Sequence, residues 1–189
     1  MLTIKQIVEE ARLNLFSSLN ETRVAVEQFK TNKKIKNMEQ EKTIEVLNTL
    51  ITINNDRIEG YETASKETDE QELKTMFAQF AATSQKCKQE LISEVTKLGG
   101  EIAEGTKTSG KFFRLWMDVK AALTGHDRKA ILNSCEFGEG EAVDTYEETL
   151  KNDSDHITPQ LRILLNTQES LIKADLDKVK AMQEALVEE

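Results

Sequence analysis

Four segments of the chain repeat apolar residues every three or four positions, and this pattern constrains the fold more than any other feature. The spacing places the apolar side chains on one face of an α-helix. The segments run from Leu47 to Ser65, from Asp69 to Leu98, from Asp127 to Leu150 and from Pro159 to Leu186. The pattern therefore predicts four amphipathic helices.

Local signals mark where these helices begin and end. Asp127 and Thr158 are suitable N-caps, and Pro159 follows Thr158 at the first helical position. Gly99 and Gly100 are typical of a helix C-terminus. The chain of 189 residues has one proline, eight glycines and 5% aromatic residues. Strand-rich domains need more turn residues and aromatics, so we predict an all-α fold.

The connections between the predicted helices are short, long and short. The long one spans residues 99 to 126 and links helices two and three. This order is typical of a ferritin-like four-helix bundle with one long crossover between helices 2 and 3. The sequence "KFFRLWMDVKAALTG" in the crossover predicts a short extra helix, on which Phe112, Trp116, Val119 and Leu123 share one packing face.

A weak internal repeat supports two related helical hairpins. "GYETA" in the first helix aligns with "TYEET" in the third, which pairs Tyr61 with Tyr146 and Glu62 with Glu147. The same offset pairs Asn54 with Glu139. In the second and fourth helices a similar offset aligns the apolar positions and sets Cys87 against Asp175. Two hairpins related by an approximate two-fold axis produce such a pattern.

Residues 1–37 differ in character from residues 38–189, and we expect them to form an N-terminal helical extension beside the four-helix domain. They carry seven basic and four acidic residues, against 18 and 30 in the remainder. Two amphipathic stretches precede a polar break at "KTNKKIKN". The segment is either a docking or oligomerising helix or an upstream extension. The first alternative predicts a homodimer, and contact with an anionic membrane is a further alternative.

Composition also limits partners and location. The formal net charge is −9, and an acidic body repels phosphate backbones, so we expect no nucleic-acid binding. No apolar run is long enough for a transmembrane segment, and acids interrupt the N-terminus where a signal peptide would be apolar. We expect a cytoplasmic protein. Cys87 and Cys135 lack C-x-x-C spacing and are read as buried thiols rather than a redox pair.

Several longer motifs carry a family resemblance. "LNTLITINNDRIEGYETA", "FAQFAATSQKCKQEL", "WMDVKAALTGHDRKAIL" and "EFGEGEAVDTYEETLKN" resemble a family of bacterial four-helix-bundle proteins of unknown function, grouped with the ferritin-like superfamily. The similarity covers about residues 41 to 184. It implies a ferritin-like bundle and brings no established activity. The N-terminal 37 residues lie outside it.

Inward-tending carboxylates raise the question of a metal site. A ferritin-like di-iron centre uses two Glu-x-x-His pairs, but neither His126 nor His156 follows a glutamate by three residues. A carboxylate site for iron or manganese remains an alternative, and its candidate ligands are Glu62, Glu136, Glu139 and Asp175. Arg57 and Lys88 could instead neutralise these acids in a polar network that includes Asn54 and Gln168. A ligand pocket is the third alternative.

Other chemistries find little support. The chain has no glycine-rich phosphate loop and no G-x-S-x-G motif, and neither cysteine has a nucleophile context. No catalytic residue is assigned, and we do not expect an enzyme. The leading hypothesis is a non-catalytic structural, interaction or stress-related protein. The alternative is a metal-binding ferritin-like protein with an iron or manganese site.

Overall fold

The computed structural model describes residues 3–105 and 111–187, and every regular element in these ranges is helical. The described ranges contain five α-helices: α1 (Ile4–Glu67), α2 (Gln71–Lys97), α3 (Lys111–Thr124), α4 (Arg128–Asn152) and α5 (Pro159–Val187). A 3-10 helix, Ser154–His156, lies between α4 and α5. The predicted all-α class is confirmed. No helix in the described ranges is long and apolar enough to cross a membrane, as predicted.

The predicted break at "KTNKKIKN" is wrong, because α1 continues through it as one helix of 64 residues. Lysine is a good helix former, and this stretch holds neither glycine nor proline, so nothing interrupts the backbone hydrogen bonds. The chain nevertheless divides into two compact units, Met1–Glu41 and Lys42–Glu189. In the first unit, each residue from Leu19 to Glu39 is exposed.

Helix ends in the second unit follow the sequence signals. Asp127 caps α4 by accepting a hydrogen bond from the Ala130 amide at 2.9 Å. Thr158 accepts one from the Leu161 amide at 3.3 Å, and Pro159 begins α5. After α2, Gly99 adopts a φ of +68°. The amide of Gly100 then donates to Val95, which is the Schellman arrangement that stops the helix.

Two apolar clusters form the core of the second unit. One contains Leu50 of α1, Leu91 of α2, Leu150 of α4 and Leu165 of α5. The other contains Ala64, Phe77, Leu132 and Val179 from the same four helices, together with Val119 and Leu123 of α3. Along the chain, α1 and α5 run from the first cluster to the second, whereas α2 and α4 run from the second to the first.

Hydrogen bonds hold the first part of the long connection between α2 and α4 against α1. Asn48 donates to the Glu101 carbonyl and accepts from the Ala103 amide, and Asn55 donates to the Gly105 carbonyl. The connection contains α3, which agrees with the short helix predicted there. Val119 and Leu123 are buried as expected. The side chains of Phe112 and Trp116 lie outside the described residues.

Candidate functional site

Polar side chains replace apolar ones on α1 between the two core clusters. Asn54, Arg57 and Tyr61 recur at intervals of three and four residues, so they share the buried face of the helix. All three are almost fully inaccessible to solvent. Burial of an amide and a guanidinium is favourable only when partners satisfy them, and α2, α4 and α5 supply these partners.

The first group of partners, which we call the charged cluster, consists of Arg57, Tyr61, Ser84, Glu139 and Asp175. Arg57 binds Glu139 through two hydrogen bonds, Nε to Oε1 at 3.1 Å and Nη2 to Oε2 at 2.6 Å. Its Nη2 also donates to Asp175 Oδ2 at 3.1 Å, and its Nη1 donates to Ser84 at 2.6 Å. The Arg57 guanidinium therefore links α1, α2, α4 and α5.

Tyr61 completes the charged cluster from a neighbouring position on α1. Its hydroxyl donates to Glu139 Oε1 at 2.5 Å. Its ring lies 5.2 Å from that of Phe80 in an edge-on arrangement and 5.9 Å from the Arg57 guanidinium carbon. Glu139 thus accepts hydrogen bonds from two residues of α1, and its carboxylate is fixed on both oxygens.

Burial dominates the electrostatics of the charged cluster. It raises the pKa of Glu139 and of Asp175, although the Arg57 charge works in the opposite direction. Burial alone would lower the pKa of Arg57, but the charge of Glu139 and the bonds between them raise it overall. Arg57 is therefore a permanent cation facing two carboxyl groups. It matches one of them in charge and leaves the second in excess.

A second group, which we call the neutral cluster, consists of Asn54, Tyr146 and Gln168 and contacts Glu90 at its outer end. Asn54 Nδ2 donates to the Tyr146 hydroxyl at 2.8 Å, and that hydroxyl donates to Gln168 Oε1 at 3.0 Å. Gln168 Nε2 then donates to the Cys87 carbonyl and to Glu90. Among the described residues, the Asn54 Oδ1 atom is buried and accepts no hydrogen bond. Neutral amides and a hydroxyl thus form a directional chain that ends at the half-buried Glu90.

The four predicted metal ligands separate into two kinds. Glu139 and Asp175 meet at Arg57, as described above. Glu62 is exposed and accepts a hydrogen bond from Gln85 at 3.1 Å, because it lies off the centre of the apolar stripe. Glu136 is half-buried and accepts from Gln183 at 2.9 Å. In the described ranges, no three His, Cys, Asp or Glu side chains are grouped so as to hold a metal ion. Metal binding by the four acids stays a prediction.

Two residues of the site, Arg57 and Tyr61, have more partners than the sequence predicts. The sequence predicts Arg57 only as one of two possible counter-ions and Tyr61 only as a repeat position. Both residues lie on the same buried face of α1 as Asn54. A basic residue at the centre of such a face indicates that a carboxylate is paired with it. Lys88, the other expected counter-ion, instead lines a surface groove with Glu59 and Glu62.

Comparison with known proteins identifies a family for most of the second unit. A family model described as "Domain of unknown function (DUF2383)" matches residues 42–152. The match covers more than half of the chain and includes α2, α3 and α4 with the second part of α1. Residues 153–184, to which the resemblance extended, lie outside it. No curated protein matches the chain.

Proposed function

We propose a non-catalytic interaction function for this chain, which belongs to the DUF2383 family of unknown function. In this proposal residues 42–187 form a ferritin-like four-helix bundle that acts as a rigid base, and the first part of α1 associates with a second copy. The bundle part is supported by helix directions: α1 and α5 run one way, α2 and α4 the other, and the single long connection joins α2 to α4.

The observation that carries the proposal is the exposed apolar surface of the first unit. Phe16 is 72% exposed and Phe29 is 70% exposed, and Leu19, Val26 and Ile35 are exposed as well. Scattered exposed apolar residues are ordinary, but Leu19, Val26 and Phe29 follow one helical face, and such a face is favourable only when another surface covers it. Contact with a second copy supplies that cover within one protein species, and a cytoplasmic setting is part of the proposal.

The buried acids support a structural role for the body rather than a reaction centre. Both oxygens of Glu139 and one oxygen of Asp175 accept hydrogen bonds from Arg57, whose charge is permanent, and Tyr61 also donates to Glu139. Carboxylates that are paired with a guanidinium in this way contribute geometry to the helix packing. This arrangement accounts for why acids lie inside the body without requiring catalysis.

Sedimentation of the full chain tests the proposal. We expect the wild-type protein to sediment as a dimer at micromolar concentration, and the double variant L19E/F29E to sediment as a monomer with unchanged helix content. The control L19A/F29A keeps helix propensity and removes most of the apolar area, so it should weaken association less. A wild-type protein that stays monomeric up to the highest soluble concentration would contradict the proposal.

The second candidate is iron or manganese binding by Glu62, Glu136, Glu139 and Asp175. It is favoured by one observation: two buried carboxylates converge on a single cationic position, now held by Arg57. Metal content of the protein, purified after iron or manganese supplementation, separates the two candidates. Stoichiometric metal that is lost in both Glu62→Ala and Glu139→Ala would support the second candidate. Substoichiometric metal that neither substitution changes would support the first.

A further inference from the structure

The outward face of α4 combines an exposed aromatic ring with a row of acids. Phe137 is 52% exposed. Asp144 and Glu148 follow it by seven and eleven residues, so they lie on the same side of the helix, and Glu147 lies beside them. All three acids are exposed. Gly140, one turn after Phe137, has open space where a side chain would stand. The face therefore offers an apolar spot followed by negative charge.

The first part of α1 presents the complementary pattern. Val26 and Phe29 lie on one face of the helix. Lys33 and Lys36 lie on the same face, about one and two turns after Phe29. All four are exposed. This face therefore offers an apolar spot followed by positive charge, in the same order along the chain as on α4.

The two patterns match in spacing as well as in charge. Lys33 and Lys36 follow Val26 by seven and ten residues, and Asp144 and Glu147 follow Phe137 by the same intervals. At a rise of about 1.5 Å per residue, two helices that run in the same direction with Val26 beside Phe137 bring both charge pairs level. Complementary charge at matched heights selects both register and direction.

We propose that residues 26–36 of one copy dock on the Phe137–Glu148 face of α4 in a second copy. This inference rests on the proposed self-association and names its contact. In such a dimer, residues 26–36 of each copy dock on α4 of the other copy. The apolar spots on both helices are therefore buried in each of two equivalent contacts. They also close the assembly at two chains, so no free end remains for further growth.

The test uses charge reversal in the full chain, measured by sedimentation equilibrium. The helix variant K33E/K36E sets acid against acid, and the face variant D144K/E147K sets base against base. Each alone should raise the dissociation constant about tenfold or more, since two charge pairs become repulsive. An equimolar mixture of the two variants restores opposite charge at every contact. We expect it to associate within about twofold of the wild type.

Matched controls keep the change in net charge and move it elsewhere. K34E/K42E reverses two exposed lysines of α1 that lie off the Val26–Lys36 face, and E169K/D177K reverses two acids of α5. Both should associate within about twofold of the wild type at moderate salt. Raising the salt concentration should weaken the wild-type complex. Its dissociation constant should then approach those of K33E/K36E and of D144K/E147K measured alone.

The outcomes separate this inference from the proposal on which it rests. If D144K/E147K associates like the wild type while L19E/F29E is monomeric, the helices pair with each other, and the docking on α4 is wrong. If both mixed and unmixed variants remain monomeric although the wild type is a dimer, the register is wrong. A wild-type monomer would overturn both the docking and the proposed self-association.

Discussion

The charged cluster and the neutral cluster occupy positions related by the internal repeat, yet they use different chemistry. Tyr61 corresponds to Tyr146, and Glu139 corresponds to Asn54. The hydrogen bond from Tyr61 to Glu139 is thus the counterpart of the hydrogen bond between Tyr146 and Asn54. In both, a tyrosine of one hairpin meets a buried polar residue of the other.

The difference between the clusters comes from one added charge. Arg57 lies in the charged cluster, and the repeat places Ala142 at the equivalent position of α4. With a guanidinium present, the opposite residue is the carboxylate Glu139. Without one, it is the amide Asn54. A buried carboxylate needs a cation, whereas an amide needs only hydrogen bonds. Arg57 therefore determines which half of the repeat can carry an acid.

Removal of that cation should give the largest effect. We expect Arg57→Met to lower the free energy of unfolding by about 3 to 5 kcal/mol, because two buried carboxyl groups lose their counter-ion. Urea denaturation measures the change. Arg128→Met is the control, since Arg128 pairs with Glu70 and Glu72 at the surface and its loss should cost about 1 kcal/mol or less. Equal losses in the two variants would contradict the assigned role of Arg57.

Removal of each tyrosine hydroxyl compares the clusters directly. Tyr61→Phe breaks a hydrogen bond to a charged group and should cost about 2 kcal/mol, whereas Tyr146→Phe breaks bonds among neutral groups and should cost about 1 kcal/mol. Both rings are buried, so the apolar contribution is matched. Thermal and urea denaturation should rank the variants in this order. A larger loss for Tyr146→Phe would show that charge does not distinguish the two clusters.

The pH dependence of stability should come from the charged cluster. Because burial raises the pKa of Glu139 and Asp175, the folded state holds more protons than the unfolded state between about pH 4, the ordinary carboxyl value, and the raised pKa. The free energy of unfolding therefore falls as pH rises through that window, by at most about 1.4 kcal/mol per pH unit for each group.

Asp175→Asn should flatten this fall, and the exposed control Asp177→Asn should leave it unchanged. Urea denaturation at a series of pH values gives the two slopes. Parallel curves for wild type and Asp175→Asn would mean that Asp175 takes up no extra proton on folding.

The outer end of the neutral cluster should give the smallest effect. Glu90 accepts a hydrogen bond from Gln168 and is only half-buried. We expect Glu90→Gln to change stability by about 0.5 kcal/mol or less, because the new amide oxygen still accepts that bond and solvent screens the lost charge. A loss above 2 kcal/mol in urea denaturation would show that the neutral cluster also depends on charge.

The sequence predicted the elements of the body well because apolar periodicity and caps are local signals. Asp127, Thr158 and Gly99 act where their chemistry suggested. The continuity of α1 was missed because lysine and asparagine are compatible both with a helix and with a break, and the pattern does not choose between them. The inward position of Asn54 and Glu139 was also predictable from the apolar stripe.

The partners within the site were not predictable in the same way. The stripe shows that Glu139 faces the core, but the choice between a metal ion and Arg57 depends on distances between four helices. Glu62 and Glu136 lie near the stripe edge, where a long side chain reaches either the core or solvent. In the structure, each of these glutamates accepts a hydrogen bond from a glutamine on another helix. Gln85 donates to Glu62, and Gln183 donates to Glu136. Such neighbours are far away in sequence and carry no local signal.

A double-mutant cycle between Arg57 and Glu139 measures how strongly the stability contributions of the two residues depend on each other. The free energies of unfolding of wild type, Arg57→Met, Glu139→Leu and the double variant give the coupling between the two residues. We predict a coupling of about 3 kcal/mol, with the double variant more stable than Arg57→Met, because Glu139→Leu then removes one of the two buried carboxyl groups that have lost their cation. Additive losses to within about 0.5 kcal/mol would contradict the claim that Arg57 is the resident cation for Glu139.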